Sequence, residues 1–283
     1  MEVHAFAKIN LTLDILRKRE DGYHDLEMVM QSVSLYDTLR IVPVVQDKGV
    51  SITSTQRFIP NDERNLAVKA ARAFFESTGN MIGLDMALTK RIPVCAGLGG
   101  GSADAAAVLV ALNDLTGAGL TTRQLMALGE KVGSDVPYCV MGGTALARGK
   151  GEVLTELPPL PSCYVVLSKP DFSISTPELF SRVDLKKMIC RPDTTGLLEG
   201  LRQRDLKQVA RRVYNVFEDI LPPRQRAMVD GIKQLLIHHG ALGAAMTGTG
   251  SAVYGLFAAE QEANDAYSAL SSRYQETFLT QTV

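Results

Sequence analysis

Excess charge of either sign is missing from this chain: 30 basic residues stand against 31 acidic ones, for a net charge of −1. That balance removes the electrostatic case for a nucleic-acid or membrane-surface partner, so any anion has to be held by local groups. Paired cysteines are missing too. Cys95, Cys139, Cys163 and Cys190 lie far apart with no C-x-x-C among them, which argues against a disulfide framework or a zinc site and predicts buried thiols. No apolar run reaches the 18 or so residues of a membrane span, and the opening MEVHAFAKIN, with an acid at Glu2, is neither a secretory leader nor an anchor. The expectation is a cytoplasmic protein. Internal repeats, heptads and low-complexity segments are also lacking. What remains is 283 residues at 46% hydrophobic and 22% charged, enough for a well-buried core in one large domain or two smaller ones.

From Val3 to Ile15 the residues alternate, with Val3, Ala5, Ala7, Ile9, Leu11, Leu13 and Ile15 on one face of a strand. The other face carries Lys8, Asn10, Thr12 and Asp14 and is unusually polar. Asp21-Gly22 signals a turn, and LEMVMQSVSLYDTLRIVPV reads as further strand, so the region is a hairpin or meander. Helices are predicted over PNDERNLAVKAARAFFESTG, opened near Asn61 and Asp62, over ADAAAVLVALNDLTG, and over TTRQLMALGEKVG, which stops just before SDVPYC. Pro158, Pro159 and Pro161 then break regular structure, and the strand-like CYVVLS follows. A domain boundary is placed there, giving residues 1–157 and 158–283. Strands and helices without strict alternation make each half α+β, not a doubly wound sheet.

The stretch PVCAGLGGGSADAAA, residues 93–107, packs four glycines into five positions before turning to alanine. It is not a Walker loop, because no lysine follows the glycines, and TALARGKG fails with Thr144 and Gly151 at the first-glycine and hydroxyl positions. The dinucleotide fingerprint fails as well, since Ser102 or Asp104 falls where its third glycine belongs. What the residues retain is general physics: glycines let consecutive N–H groups converge on an anion, and a helix amino terminus adds unpaired N–H groups and partial positive charge. Ser102 would sit at that helix mouth. A glycine turn serving packing alone is the other reading. A second loop, TGTGS at 247–251, reads by itself as a strand-to-strand turn. His238 and His239 point to different helix faces and make no metal pair.

Taken together, Lys8 on its strand, PVCAGLGGGSADAAA, and the late ALGAAMTGTGSAVYGLF resemble the GHMP kinase family. FAKINLTLDILRKREDGYHDLEMVMQSVSLYDTL, GSDVPYC and STPELF extend the likeness to a member acting on a cytidine-diphosphate alcohol, over residues 5 to 257 or so. The resemblance implies a two-domain α+β kinase, its amino-terminal domain like ribosomal protein S5 domain 2 and its carboxy-terminal half ferredoxin-like. It implies ATP with Mg²⁺ and a small-molecule substrate, a monomer or weak homodimer, and no dedicated protein metal site. The phosphate loop carries over to Pro93, Val94, Cys95, Ala96, Gly97, Leu98, Gly99, Gly100, Gly101, Ser102 and Ala103, and the catalytic positions to Lys8 and Asp135. Asn65, Lys90 and Asn113 match positions near the nucleotide, Asn10 one beside the acceptor, and Tyr23, His24, Thr176, Pro177 and Phe180 the cytidine-diphosphate pocket. Without the resemblance, Lys8 reads as a solvated strand lysine and Asp135 as a turn or cap aspartate. Two departures stand out: Ala103 replaces a second serine, and TGTGSAV lacks the proline common after its last glycine. Kinases for homoserine or mevalonate, or a non-catalytic binding relative, are the alternatives.

Overall fold

The computed structural model of the chain describes residues 1–44, 49–185, 188 and 190–283. In chain order it runs β1 (Glu2–Lys18), β2 (His24–Val44), β3 (Val50–Ser54), α1 (Leu66–Thr78), β4 (Gly83–Thr89), α2 (Gly100–Thr116), α3 (Thr122–Val132), α4 (Val136–Met141), β5 (Thr144–Gly149) and β6 (Val153–Glu156). There follow β7 (Tyr164–Lys169), α5 (Thr176–Ser181), α6 (Thr194–Arg202), α7 (Leu206–Ala210), β8 (Tyr214–Asn215), a 3₁₀ turn (Val216–Ile220), α8 (Pro223–His238), β9 (Gly243–Met246), β10 (Val253–Phe257), α9 (Glu260–Ser271) and β11 (Glu276–Gln281). Two compact units divide the chain: Met1–Ala7, Leu35–Ile92 and Gly99–Gly142 form the first, and Lys8–Ser34, Pro93–Leu98 and Gly143–Val283 the second. The chain passes from one to the other several times, where the proline run predicts a single division between residues 157 and 158. Among the described residues no helix is long and apolar enough to cross a membrane.

In the first unit β4 runs antiparallel to the second half of β2 and parallel to β3, so that Met86 lies between Ile41 and Ile52. Alternation along β4 buries Leu84, Met86 and Leu88 and leaves Asp85 and Ala87 exposed. The buried face is covered by α1 and α2, whose Ala67, Ala70, Ala71, Phe74, Ala105, Leu109 and Leu112 share one apolar cluster with it. A phenylalanine buried as fully as Phe74 contributes about 1.5–3 kcal/mol. Helix α1 starts at Leu66, not near Asn61, because the side chain that caps it is Asn65, which accepts the Ala67 N–H at 2.9 Å. Asp62 instead binds its neighbour Arg64. Helix α2 starts at Gly100, three residues before its alanines: the packing of its alanine face outweighs the poor helix propensity of glycine.

In the second unit β11, β7, β10 and β9 form an antiparallel sheet in that order, with α8 between β7 and β9 and α9 between β10 and β11. This is the ferredoxin-like arrangement. All five residues of β10 are buried, as a central strand covered on both faces requires. On one face a Cβ at Gly255 would come within 3.0 Å of Leu236 of α8. On the other, the Tyr254 hydroxyl donates to the carbonyl of Asn10 in β1 at 2.9 Å. The polar face of β1 is therefore not solvated: Lys8, Asn10, Thr12 and Asp14 are all buried. The thiols depart from expectation. All four are thiols outside any disulfide, but Cys163 alone is buried, while Cys95 and Cys190 are exposed and Cys139 is half-buried.

Candidate functional site

Four buried polar residues on one strand face are costly unless each is hydrogen-bonded: Thr12 Oγ1 accepts the Val29 N–H at 3.1 Å and Asp14 accepts from Arg191 at 2.7 Å, while Lys8 and Asn10 engage the two glycine loops. The Lys8 ammonium donates to Asn10 Oδ1 at 2.8 Å, and the same oxygen accepts the Gly248 N–H at 2.9 Å. Asn10 N–H donates to Thr247 Oγ1 at 3.1 Å. Three successive carbonyls of the first loop are taken up in the same way: Ala96 accepts from Ala252 N–H at 3.1 Å, Gly97 from the Thr247 hydroxyl at 3.1 Å, and Leu98 from Lys8 N–H at 3.0 Å. Along that loop Cys95, Gly97 and Gly99 have φ of 53°, 75° and 71°, while Ala96 and Leu98 between them do not. Such alternation turns successive N–H groups to one side and makes a concave seat for an anion. Gly97 is irreplaceable on steric grounds, because a Cβ there would lie 2.1 Å from Thr247 O.

In the first unit α2 opens at Gly100 with the N–H groups of its first turn lacking intrahelical partners, and Ser102, half-buried, is its third residue. Ala103 is buried in the apolar cluster. Lys90 lies beneath this helix end, its Nζ 3.1 Å from where a Gly100 Cβ would stand. It donates to Asp104 at 2.8 Å and to Asp37. Asp37 in turn accepts the N–H groups of Arg91 at 2.5 Å and Ile92 at 2.9 Å. Two carboxylates thus share one ammonium. Asp104 Oδ1 has no hydrogen-bond partner among the described residues, and burial pushes this carboxyl up to about 7 against the pull of Lys90. Two other residues expected near a nucleotide also engage protein atoms: Asn65 caps α1 and donates to Pro60 O at 2.8 Å, and Asn113 binds both backbone groups of Leu120. Asp135 is the half-buried cap residue of α4, held by the buried Val136 and Pro137 that follow it. A Cβ at Gly129 of α3 would lie 2.8 Å from Val136, so only glycine allows this approach.

Back in the second unit, His24 stacks on Phe180 at 5.1 Å, and Phe180 meets the edge of Phe217 at 5.0 Å. Burial, and then the charge of Lys18, lower the His24 pKa and favour the neutral imidazole, with one donor and one acceptor nitrogen. Tyr23 is 61% exposed, with the Lys150 ammonium 5.2 Å from its ring centre. Thr176, first residue of α5, pairs its hydroxyl with that of Thr249 at 3.1 Å, and Pro177 follows it. The second unit therefore joins Lys8, Asn10, residues 96–98 and the 247–250 turn in one network, and His24 with Phe180 in another. Sequence reasoning missed Thr247, Asn215 and Asp104. The first belongs to a turn that means little alone, the second ends a two-residue strand, and only the isolated acid among alanines marked the third. Among the described residues no three His, Cys, Asp or Glu side chains group as a metal site would need.

Two family models match the chain, the GHMP kinases N terminal domain over residues 65–143 and the GHMP kinases C terminal domain over residues 197–276. It is 42% identical to the 4-diphosphocytidyl-2-C-methyl-D-erythritol kinase of Clostridium tetani over the full length of both. With the enzyme of the same name from Alkaliphilus metalliredigens it shares 40% identity over 99% of this chain and 96% of the other. A crystal structure of 4-(cytidine 5'-diphospho)-2C-methyl-D-erythritol kinase superposes with a TM-score of 0.84 at 33% identity, covering 100% of this chain and 99% of that one. The buried lysine between two glycine loops thus sits in a fold and a sequence that agree from end to end, and the chain belongs to the GHMP kinase family.

Proposed function

We propose that this chain transfers the γ-phosphoryl group of ATP to the 2-hydroxyl of 4-diphosphocytidyl-2-C-methyl-D-erythritol, the compound after which its relatives are named as kinases. The observation that carries the reading is Lys8: an ammonium buried on β1 and aimed by Asn10, on the strand whose backbone also holds the first glycine loop. A lysine kept at such cost suits charge stabilisation in a transferring group. In this reading the N–H groups of residues 97–102 cradle the phosphates. Asp135 orients the acceptor hydroxyl and receives its proton as the oxygen bonds to the γ-phosphorus and the bond to the β-phosphate oxygen breaks, with ADP leaving with the electron pair. Lys8 stabilises negative charge on the moving group. The N–H donors at the loop suit phosphate oxygens and not a cation, which fits Mg²⁺ carried by the nucleotide, where it supplies further charge neutralisation. For the cytosine, Tyr23 and Phe180 offer ring faces and neutral His24 an edge donor and acceptor.

A coupled assay of ADP release comparing the diphosphocytidyl alcohol with homoserine and mevalonate tests the substrate. Turnover with either of the latter alone overturns the assignment, and turnover with none favours a binding protein. Lys8→Ala or Asp135→Ala should cost on the order of 10²-fold or more in kcat. Near-normal turnover by either folded variant would remove that residue from the mechanism.

A further inference from the structure

Thr247 is fully buried and lies at the end of β9, where the second glycine loop begins. Its hydroxyl accepts the N–H of Asn10 at 3.1 Å and has a single hydrogen to give, with Gly97 O at 3.1 Å and Asn10 Oδ1 at 3.3 Å as the two acceptors in reach. Asn10 Oδ1 is the atom that holds the Lys8 ammonium. One hydroxyl group therefore fixes both the residue that aims Lys8 and the carbonyl that orients the first glycine loop. The turn that carries it is itself braced: Asn215 Nδ2 donates to the carbonyls of Met246 and Gly248, each at 2.8 Å, and Glu218 accepts the Met246 N–H at 2.8 Å. All of these groups lie within the second compact unit.

We propose that Thr247 is a positioning residue for phosphoryl transfer, its hydroxyl setting the Lys8 ammonium against the 96–98 loop without itself touching either substrate. The proposal rests on the reading of Lys8 given above. Valine at position 247 matches threonine in shape but offers no hydroxyl, and it leaves the Asn10 N–H and the Gly97 carbonyl without their partner. Misplacing a reacting group by a fraction of an ångström to an ångström costs about 10- to 100-fold in rate. Thr247→Val should accordingly lower kcat by about 10- to 100-fold, Thr247→Ala should do the same, and Thr247→Ser, which keeps the oxygen, should stay within about threefold of the parent.

A loss of packing alone would also lower activity, so the deciding measurement is a double-mutant cycle with Lys8→Ala. If Thr247 acts through Lys8, adding Thr247→Val to Lys8→Ala lowers kcat by less than about threefold further. An undiminished loss in that background, or a Thr247→Val enzyme within threefold of the parent, overturns the proposal while leaving Lys8 in its role. A Lys8→Ala enzyme with near-normal turnover overturns both. Thr247→Ala carries the same cycle if the valine protein folds poorly, judged by near-ultraviolet circular dichroism.

Discussion

Replacing Asp104 by asparagine should stabilise the protein at alkaline pH and lose that advantage in acid. Asp104 ionises at its ordinary 3.8 when unfolded and at about 7 in the fold, where burial outweighs the nearby Lys90. The folded state therefore binds this proton more tightly, so the contribution of Asp104 to stability falls as pH rises from about 4 to about 7 and is constant above that. At 1.36 kcal/mol per pKa unit, ionising the group in place costs about 4 kcal/mol at pH 8 and about 1–2 kcal/mol at pH 5. An asparagine amide keeps an acceptor for the Lys90 ammonium, which retains Asp37 as its counter-ion. Some charge-assisted bonding to Lys90 is lost at every pH, so the difference between the two pH values is the cleaner quantity. The stability of Asp104→Asn relative to the parent should rise by about 2–3 kcal/mol between pH 5 and pH 8, or about 1 M in the urea midpoint for a chain of this size. Paired urea titrations at the two pH values measure it. A difference that does not change with pH, or one that turns against the variant at pH 8, would refute the account of a carboxylate held against its solvation.

Gly97→Ala should both strain the left-handed backbone, at about 1–2 kcal/mol, and drive a methyl group into Thr247 O; calorimetric titration with ATP should show at least tenfold weaker binding, and unchanged affinity would contradict the close approach of the loops. Asn65→Ala removes a helix cap and should cost about 1 kcal/mol of stability, with the KM for ATP within twofold if the asparagine serves α1 alone. A large rise in KM at unaltered stability would restore Asn65 to the nucleotide. Tyr23→Ala and Phe180→Ala should each raise the KM for the cytidine substrate by roughly 5- to 150-fold, the span of a base-stacking contact of about 1–3 kcal/mol, and leave the KM for ATP unmoved.

Periodicity carried the element types well and the roles of residues poorly. The alternation of β1 is plain from Val3 to Ile15, yet it ranks Lys8 with solvated strand lysines, because a polar face that is buried for the sake of a site has the same pattern as one in water. Asn61 and Asp62 have the chemistry of a cap as much as Asn65 does, and only the backbone path decides which one serves. Gly100 and Gly101 look like loop until the alanine face of α2 is seated in the core. The first glycine loop was legible because glycine density is a local property. Its lock was not, since Thr247 stands 150 residues from Gly97 and nothing near it marks the pairing. Lys90 is expected near the nucleotide from the resemblance, and a single sequence does not reveal that two buried aspartates claim its ammonium.

The bond between Asn10 and Thr247 closes a loop of 237 residues, and it has a consequence for the order in which the molecule comes into being. A chain emerging from the ribosome at about 5–20 residues per second presents Lys8 and the first glycine loop long before the residue that secures them exists. For that interval, on the order of ten seconds or more, the nascent protein carries a lysine and a glycine-rich segment without the hydroxyl that sets one against the other. Contacts so distant in sequence are also the last to repay their loop-closure entropy during refolding. Phosphoryl-transfer competence should therefore appear late, after most secondary structure has formed, making activity a stricter report of complete folding in this protein than helix content.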